Sequence, residues 1–238
     1  GLVLALACLA AEGTLAQPAV LGMRRLPPFA NADLDRQMAR IIAQMDAFHG
    51  DSATMLLNAA LAMTDPEKDH EERHYLLAYR AEVLYYEGLF NKAMRDLEEA
   101  ERLAQRLGDS TLIANALNLK GLLHENIQDS REALPYLRSA LHWFPHHPAA
   151  RYPVTELHHI HGNLGSYLSA LGMLDSARHH ARLSLRLAEQ VEAARAIAVA
   201  HWTLGNIALK AGHADSALMR YDHAWATADA ARDHDIGV

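Results

Sequence analysis

The chain has 238 residues, half of them hydrophobic and only 6% aromatic, with 22 Lys and Arg against 29 Asp and Glu for a formal charge of -7. That balance contains no basic block, which removes the electrostatic footprint of a nucleic-acid binder. A single cysteine, Cys8, leaves no intrachain disulfide framework to hold the fold.

The amino end reads as a leader. Gly1 to Ala11 (GLVLALACLAA) is apolar but too short to span a bilayer as a helix, and Thr14-Leu15-Ala16 follows it. Small residues three and one before a cut, after a short apolar core, mark a secretory signal peptide over 1–16 with cleavage after Ala16. The competing reading is a disordered or membrane-adjacent leader. Cys8 follows Ala5-Leu6-Ala7, a poor match to a lipid-attachment box. The expected mature protein begins at Gln17, lacks any thiol, and is periplasmic or otherwise extracytoplasmic. Residues 17–33, with Arg24-Arg25 and Pro27-Pro28, form a linker.

Beyond the linker the hydrophobic pattern predicts helical pairs at 34–48 and 51–64, 71–87 and 90–107, 110–126 and 130–143, 153–171 and 174–191, then 195–211 and 214–231. The pairs repeat. Ala53, Ala93, Ala133, Ala177 and Ala217 fall at steps of 40, 40, 44 and 40 residues. Twelve positions before each alanine stands a small residue in four copies (Ala81, Gly121, Gly165, Gly205), with Ile41 the exception. Four after it come Leu57, Leu97, Leu137, Ala181 and Tyr221, and seven after it Ala60, Ala100, Ala140, Ser184 and Ala224. A turn glycine precedes it by five in three copies, Gly88, Gly172 and Gly212. Small residues at fixed offsets allow two helices to approach closely, so the unit is a helical hairpin and the fold is all-α. The four-residue insertion falls in Trp143-Phe144-Pro145-His146-His147-Pro148, where prolines end a helix.

This frame resembles the tetratricopeptide repeat, best in Leu164-Gly165…Gly172…Ala177 and Leu204-Gly205…Gly212…Ala217…Tyr221…Ala224, with Pro145 at a closing proline position. The period near 40 exceeds the usual 34 and is similar to the lengthened repeats of bacterial signalling proteins. The resemblance implies a solenoid of about five hairpins forming a right-handed superhelix over 34–238. Its repeats lie near 34–70, 71–109, 110–149, 150–194 and 195–232, with the start of a sixth at 233–238. The early tryptophan of the family is replaced by Gln37, Leu77, Leu117, His161 and His201.

Two patterns raise other chemistry. His70-Glu71-Glu72-Arg73-His74 fits H-E-x-x-H, the zinc-hydrolase helix. The repeat frame instead places it at a solvated helix start. Sixteen histidines include His146-His147, His158-His159 with His161, and His179-His180. His158 and His161 share a helix face and could chelate adventitious metal or titrate near neutral pH. No phosphate-cradling loop or nucleophile elbow is present. No catalytic residue, cofactor or metal is therefore assigned, and this segment is not expected to be an enzyme.

In the family the first helix of each hairpin lines the concave face, which the resemblance makes the partner-binding surface. It assigns Tyr75, Glu82, Tyr85, Tyr86, Asn115, Asn118, Glu125, Asn126, His159, Asn163, Ser166, Trp202, Asn206 and Lys210 to that face. Amides that both donate and accept suit a peptide backbone, and aromatic side chains suit apolar anchors. The lysine and arginine clamp of chaperone-tail binders is not matched, because Tyr75, Tyr79, Asn115 and Leu119 occupy those places. The leading expectation is a protein- or peptide-binding scaffold, the sensor region of a bacterial signalling protein of the histidine kinase or diguanylate cyclase type. It would be tethered to the membrane through a continuation beyond residue 238. The alternatives are a free-standing exported assembly scaffold and the zinc hydrolase at His70 and His74.

Overall fold

The computed structural model describes residues 29, 31–46, 49–126, 130–144 and 157–235, with side chains described for all of these except 46, 125, 126, 130 and 231–235. The expected signal peptide, most of the linker, and the insertion from Pro145 onward lie outside the described residues. So do the last residues of the expected sixth repeat. Among the described residues there are ten helices and no strand: α1 (Ala32–Asp46), α2 (Gly50–Ala62), α3 (His70–Tyr86), α4 (Phe90–Leu107), α5 (Ser110–Asn126), α6 (Ser130–Trp143), α7 (Leu157–Ala170), α8 (Leu174–Gln190), α9 (Ala194–Lys210) and α10 (Ala214–Asp235). None is long and apolar enough to cross a membrane. Helix α10 runs on to Asp235, across the position where the repeat frame opens a sixth hairpin.

Helices α1–α6 belong to one compact unit and α7–α10 to another. Within each, consecutive helices pair as antiparallel hairpins, and the second helix of one hairpin packs on the first helix of the next, as α4 does on α5 and α8 on α9.

The frame has a direct steric cause. A Cβ added at Gly121 would stand 2.9 Å from the Leu137 side chain, and one at Gly205 would stand 2.5 Å from the Tyr221 ring. At Gly165 it would meet Ala181 backbone at 3.1 Å. In these three copies the residue twelve before the alanine therefore packs against the one four after it, within one hairpin. In these three copies the glycine sits on the first helix and its partner varies in size, and only at Gly165 is the obstacle backbone and a Cβ rather than a longer side chain.

The turns repeat as well. Gly88, Gly172 and Gly212 take φ of 73°, 77° and 82°, the left-handed conformation that costs glycine nothing. Each closes the same bond, with the following residue donating its N–H to a carbonyl five residues back: Leu89 to Leu84, Met173 to Leu168 and His213 to Ala208. Between hairpins Gly108 and Glu192 play the same part, with Asp109 donating to Ala104 and Ala193 to Ala188. Glu192, at φ 53°, is the non-glycine residue in this role.

Buried polar groups tie the first unit together. Asp96 on α4 accepts two bonds from Arg80 on α3, each 2.7 Å, and Arg80 also donates to Asn58 on α2 at 2.7 Å. Lys120 on α5 pairs with Glu101 on α4, both largely buried. Asp109 Oδ1 accepts from the N–H groups of Thr111 and Leu112 and caps α5.

Candidate functional site: the first-helix face

The expected binding residues sit on α3, α5, α7 and α9, and the structure separates them by accessibility. Tyr75, Asn115 and Asn118 are buried. Tyr75 packs its ring against Phe29 (6.2 Å between centroids) and against His74 (5.4 Å). The Phe29 N–H donates to Asp35 Oδ1 at 3.1 Å, which fixes the residue ahead of α1 over this part of α3. Helix α5 is buried from Ser110 through Leu123, so its asparagines are packed among α3, α4 and α6 rather than presented as an open strip. The side chains of Glu125 and Asn126 lie outside the described set.

Other members remain reachable. Tyr86 is 47% exposed. Glu82 and Tyr85 are half-buried, and the Tyr85 ring meets Tyr86 edge-on at 5.3 Å and Phe90 at 6.0 Å. This aromatic group sits at the α3–α4 turn. Ser166, Asn163 and His159 on α7 are half-buried. On α9 the Trp202 ring lies 5.0 Å from Tyr221, whose hydroxyl donates to Asn206 Oδ1 at 2.8 Å. Burial raises the Tyr221 pKa and keeps that hydroxyl protonated. Lys210 is exposed, yet its Nζ donates to the Ser169 carbonyl of α7 at 3.0 Å. Asn206 and Lys210 thus also brace their own unit.

The H-E-x-x-H segment needs a correction. His74 is not on a solvated helix start. It is fully buried, and its Nδ1–H donates to the Ala100 carbonyl on α4 at 2.8 Å. Desolvation lowers its pKa to about 4 against the opposing pull of that bond, so the ring is neutral and joins α3 to α4. A ring sealed from solvent has no room beside it for a metal-bound water and a substrate, which the hydrolase reading requires. Among the described residues no group of three or more His, Cys, Asp or Glu side chains is placed to hold a metal ion.

Sequence reasoning also missed how the histidines pair. At the family's tryptophan positions, His161 stacks on His180 (5.1 Å, 25°) and His201 on His223 (5.1 Å, 22°), each reaching across its hairpin. His180, on the second helix of its hairpin, is thereby tied to the first. Burial lowers the pKa of His158 and His161 to about 4, and burial together with neighbouring His158 lowers His159 to about 3. The equal spacing of positions 161 and 201 in the frame was the available signal.

No family model matches the sequence, and no curated protein does. Solved structures match it in fold. BtubC (BKLC) from P. vanneervenii aligns with a TM-score of 0.65 at 16% identity, over 86% of this chain and 82% of that one. A Rap protein complexed with Competence and Sporulation Factor aligns at 0.70 with 17% identity, over 86% of this chain; the chain spans 56% of the Rap chain's length. A thermophilic TPR protein from Thermus thermophilus aligns at 0.58 with 20% identity, over 85% of this chain and 95% of that one. The repeating alanine frame, the steric pairing inside each hairpin and these likenesses together give the chain a tetratricopeptide-repeat fold.

Proposed function

We propose that the chain is a protein- or peptide-binding scaffold rather than an enzyme, and that its partner docks on the first-helix face through Tyr85 and Tyr86 in one unit or Trp202 and Asn163 in the other. The observation that carries this reading is the Tyr85–Tyr86–Phe90 group, an aromatic cluster with Tyr86 half exposed where a soluble helix would place charge. Support comes from the fold, which in the Rap protein is found complexed with a factor. We further propose that the protein is exported after cleavage at Ala16 and serves as the extracytoplasmic sensor region of a bacterial signalling protein. The leader pattern and the long repeat period support that reading. A free-standing exported assembly scaffold is the second reading, supported by the same leader and requiring no membrane tether beyond residue 238.

Photo-crosslinking tests the face. A photoreactive phenylalanine at Tyr86 or Asn163 should capture a partner peptide selected on the purified chain. The same group at Met55 or Met219, exposed on second helices, should not. Crosslinking from the second helices alone would overturn the assignment.

A further inference from the structure

Trp225 on α10 is 50% exposed, at a position that earlier hairpins cover. It falls eight residues after Ala217, as Leu61, Glu101 and Leu185 do after their own frame alanines, and those three are half-buried. Two contacts show what the position faces. Leu61 on α2 packs on the cluster of Leu77, Ala100 and Leu103 in the next hairpin, and Glu101 on α4 pairs with Lys120 on α5, the first helix of the next. Three residues before Leu61, Asn58 accepts from Arg80 on α3 at 2.7 Å. Arg80 and Lys120 each lie thirteen residues before a frame alanine, so one register position on the covering helix twice brings a cation to this strip. On α10 the matching strip is Leu218, Asp222, Trp225 and Asp229, all exposed and on one helix face.

The chain does not fold back over that strip as it does over α4 and α8. Fifteen residues after their frame alanines, left-handed Gly108 and Glu192 turn the chain so that α5 and α9 lie on those helices. At the same place α10 has Arg232 and stays helical to Asp235. A second copy is a poor occupant. Where α3 brings Arg73, Leu77 and Arg80 to its neighbour, α1 has Asp33, Gln37 and Arg40, with no apolar side chain to meet an indole. Packing α10 on α10 would set its aspartates against one another.

We propose that this strip docks an amphipathic helix of another polypeptide, apolar along one stripe and carrying arginine over Asp222 and Trp225. Such an arginine pairs with the Asp222 carboxylate through two N–H groups while its guanidinium lies on the indole, and a second cation meets Asp229. The formal charge of -7 favours a cationic partner over an acidic one. The strip is on a second helix and is independent of the first-helix face.

The test uses two synthetic helical peptides of seventeen residues, the length of α3 and α5. Both carry the same leucine and alanine stripe, flanked by arginines in one and by glutamates in the other. Each is labelled and titrated with the full chain by fluorescence anisotropy. The arginine peptide should bind at least about tenfold tighter than the glutamate peptide and weaken as salt rises from about 50 to 300 mM. Trp225→Ala and Asp222→Lys should each weaken it about tenfold, while Tyr86→Ala and Met55→Ala leave it unchanged. Asp222 is exposed, so Asp222→Lys carries the test should Trp225→Ala lose helix by circular dichroism. Equal binding of the two peptides, or binding that survives Asp222→Lys, would overturn the proposal. So would self-association in sedimentation that Trp225→Ala abolishes, which would make a second copy the occupant. Protection of Trp225 from oxidative footprinting in the monomeric chain would also overturn it, by showing that a segment of the chain itself covers the strip.

Discussion

Replacing Gly165 with leucine forces a side chain into the place where α7 and α8 approach backbone to backbone. The first added atom alone would stand 3.1 Å from the Ala181 nitrogen, 3.2 Å from its Cβ and 3.3 Å from its Cα. None of these atoms can swing aside, so the helices must separate. Helix propensity favours leucine over glycine by somewhat under 1 kcal/mol, which partly offsets the clash. Overpacking of this kind costs about 1–3 kcal/mol, and three more heavy atoms press on the same backbone, so the net loss should be about 1–3 kcal/mol. For a unit of this size that lowers the melting temperature by roughly 4–8 °C per kcal/mol. Thermal and urea unfolding followed by circular dichroism and by the fluorescence of Trp202 and Trp225 reads the effect. Gly205→Leu should be destabilising too, but its obstacle is the Tyr221 ring, so adding Tyr221→Ala should restore part of the loss. Ala181 is already small and allows no such rescue at position 165. A Gly165→Leu variant that melts like the wild type would show that the frame does not mark close helix contact.

His74→Ala should cost about 2–4 kcal/mol in urea unfolding, because it opens a cavity and leaves the buried Ala100 carbonyl without its donor. Asp96→Ala should cost about 3 kcal/mol in the same assay, since it strands the Arg80 guanidinium between α3 and α4. Glu192→Gly should stabilise by up to about 1 kcal/mol by relieving a left-handed residue, readable as a rise in melting temperature. The histidines of α7 predict a pH dependence. Their folded pKa values of about 3 to 4 lie below the unfolded value near 6.5, so the unfolded chain takes up protons that the fold refuses. Stability of α7–α10 is full above about pH 6.5 and falls as the pH drops towards 4. Melting curves across that range should show it, and flat stability between pH 7 and 4.5 would contradict the burial of these rings.

The hairpins were legible because their cause is local and steric. Gly121, Gly165 and Gly205 recur at one offset because each faces one partner in its own hairpin, and a fixed spacing survives any change elsewhere. The binding face was less legible. Its assignment took every first helix to offer one open face, and α5 departs from that by packing against α3, α4 and α6, so Asn115 and Asn118 are buried although they are polar. His74 was missed for the same reason. A histidine can satisfy a carbonyl twenty-six residues away, and nothing in the surrounding Asp65–Arg73 polarity signals that Ala100 waits beneath it. Phe29 against Tyr75 could not be read either, since it depends on where the chain enters α1.

The most direct measurement of the scaffold reading is a calorimetric titration of the purified chain with its selected partner peptide, comparing Tyr86→Ala and Trp202→Ala with Met55→Ala and Met219→Ala. If the first-helix face binds, whichever of Tyr86 and Trp202 anchors the peptide should weaken Kd by about 2 kcal/mol, some thirtyfold, when removed, and the second-helix variants should match the wild type. Unchanged affinity in both aromatic variants, or losses confined to Met55 and Met219, would contradict it.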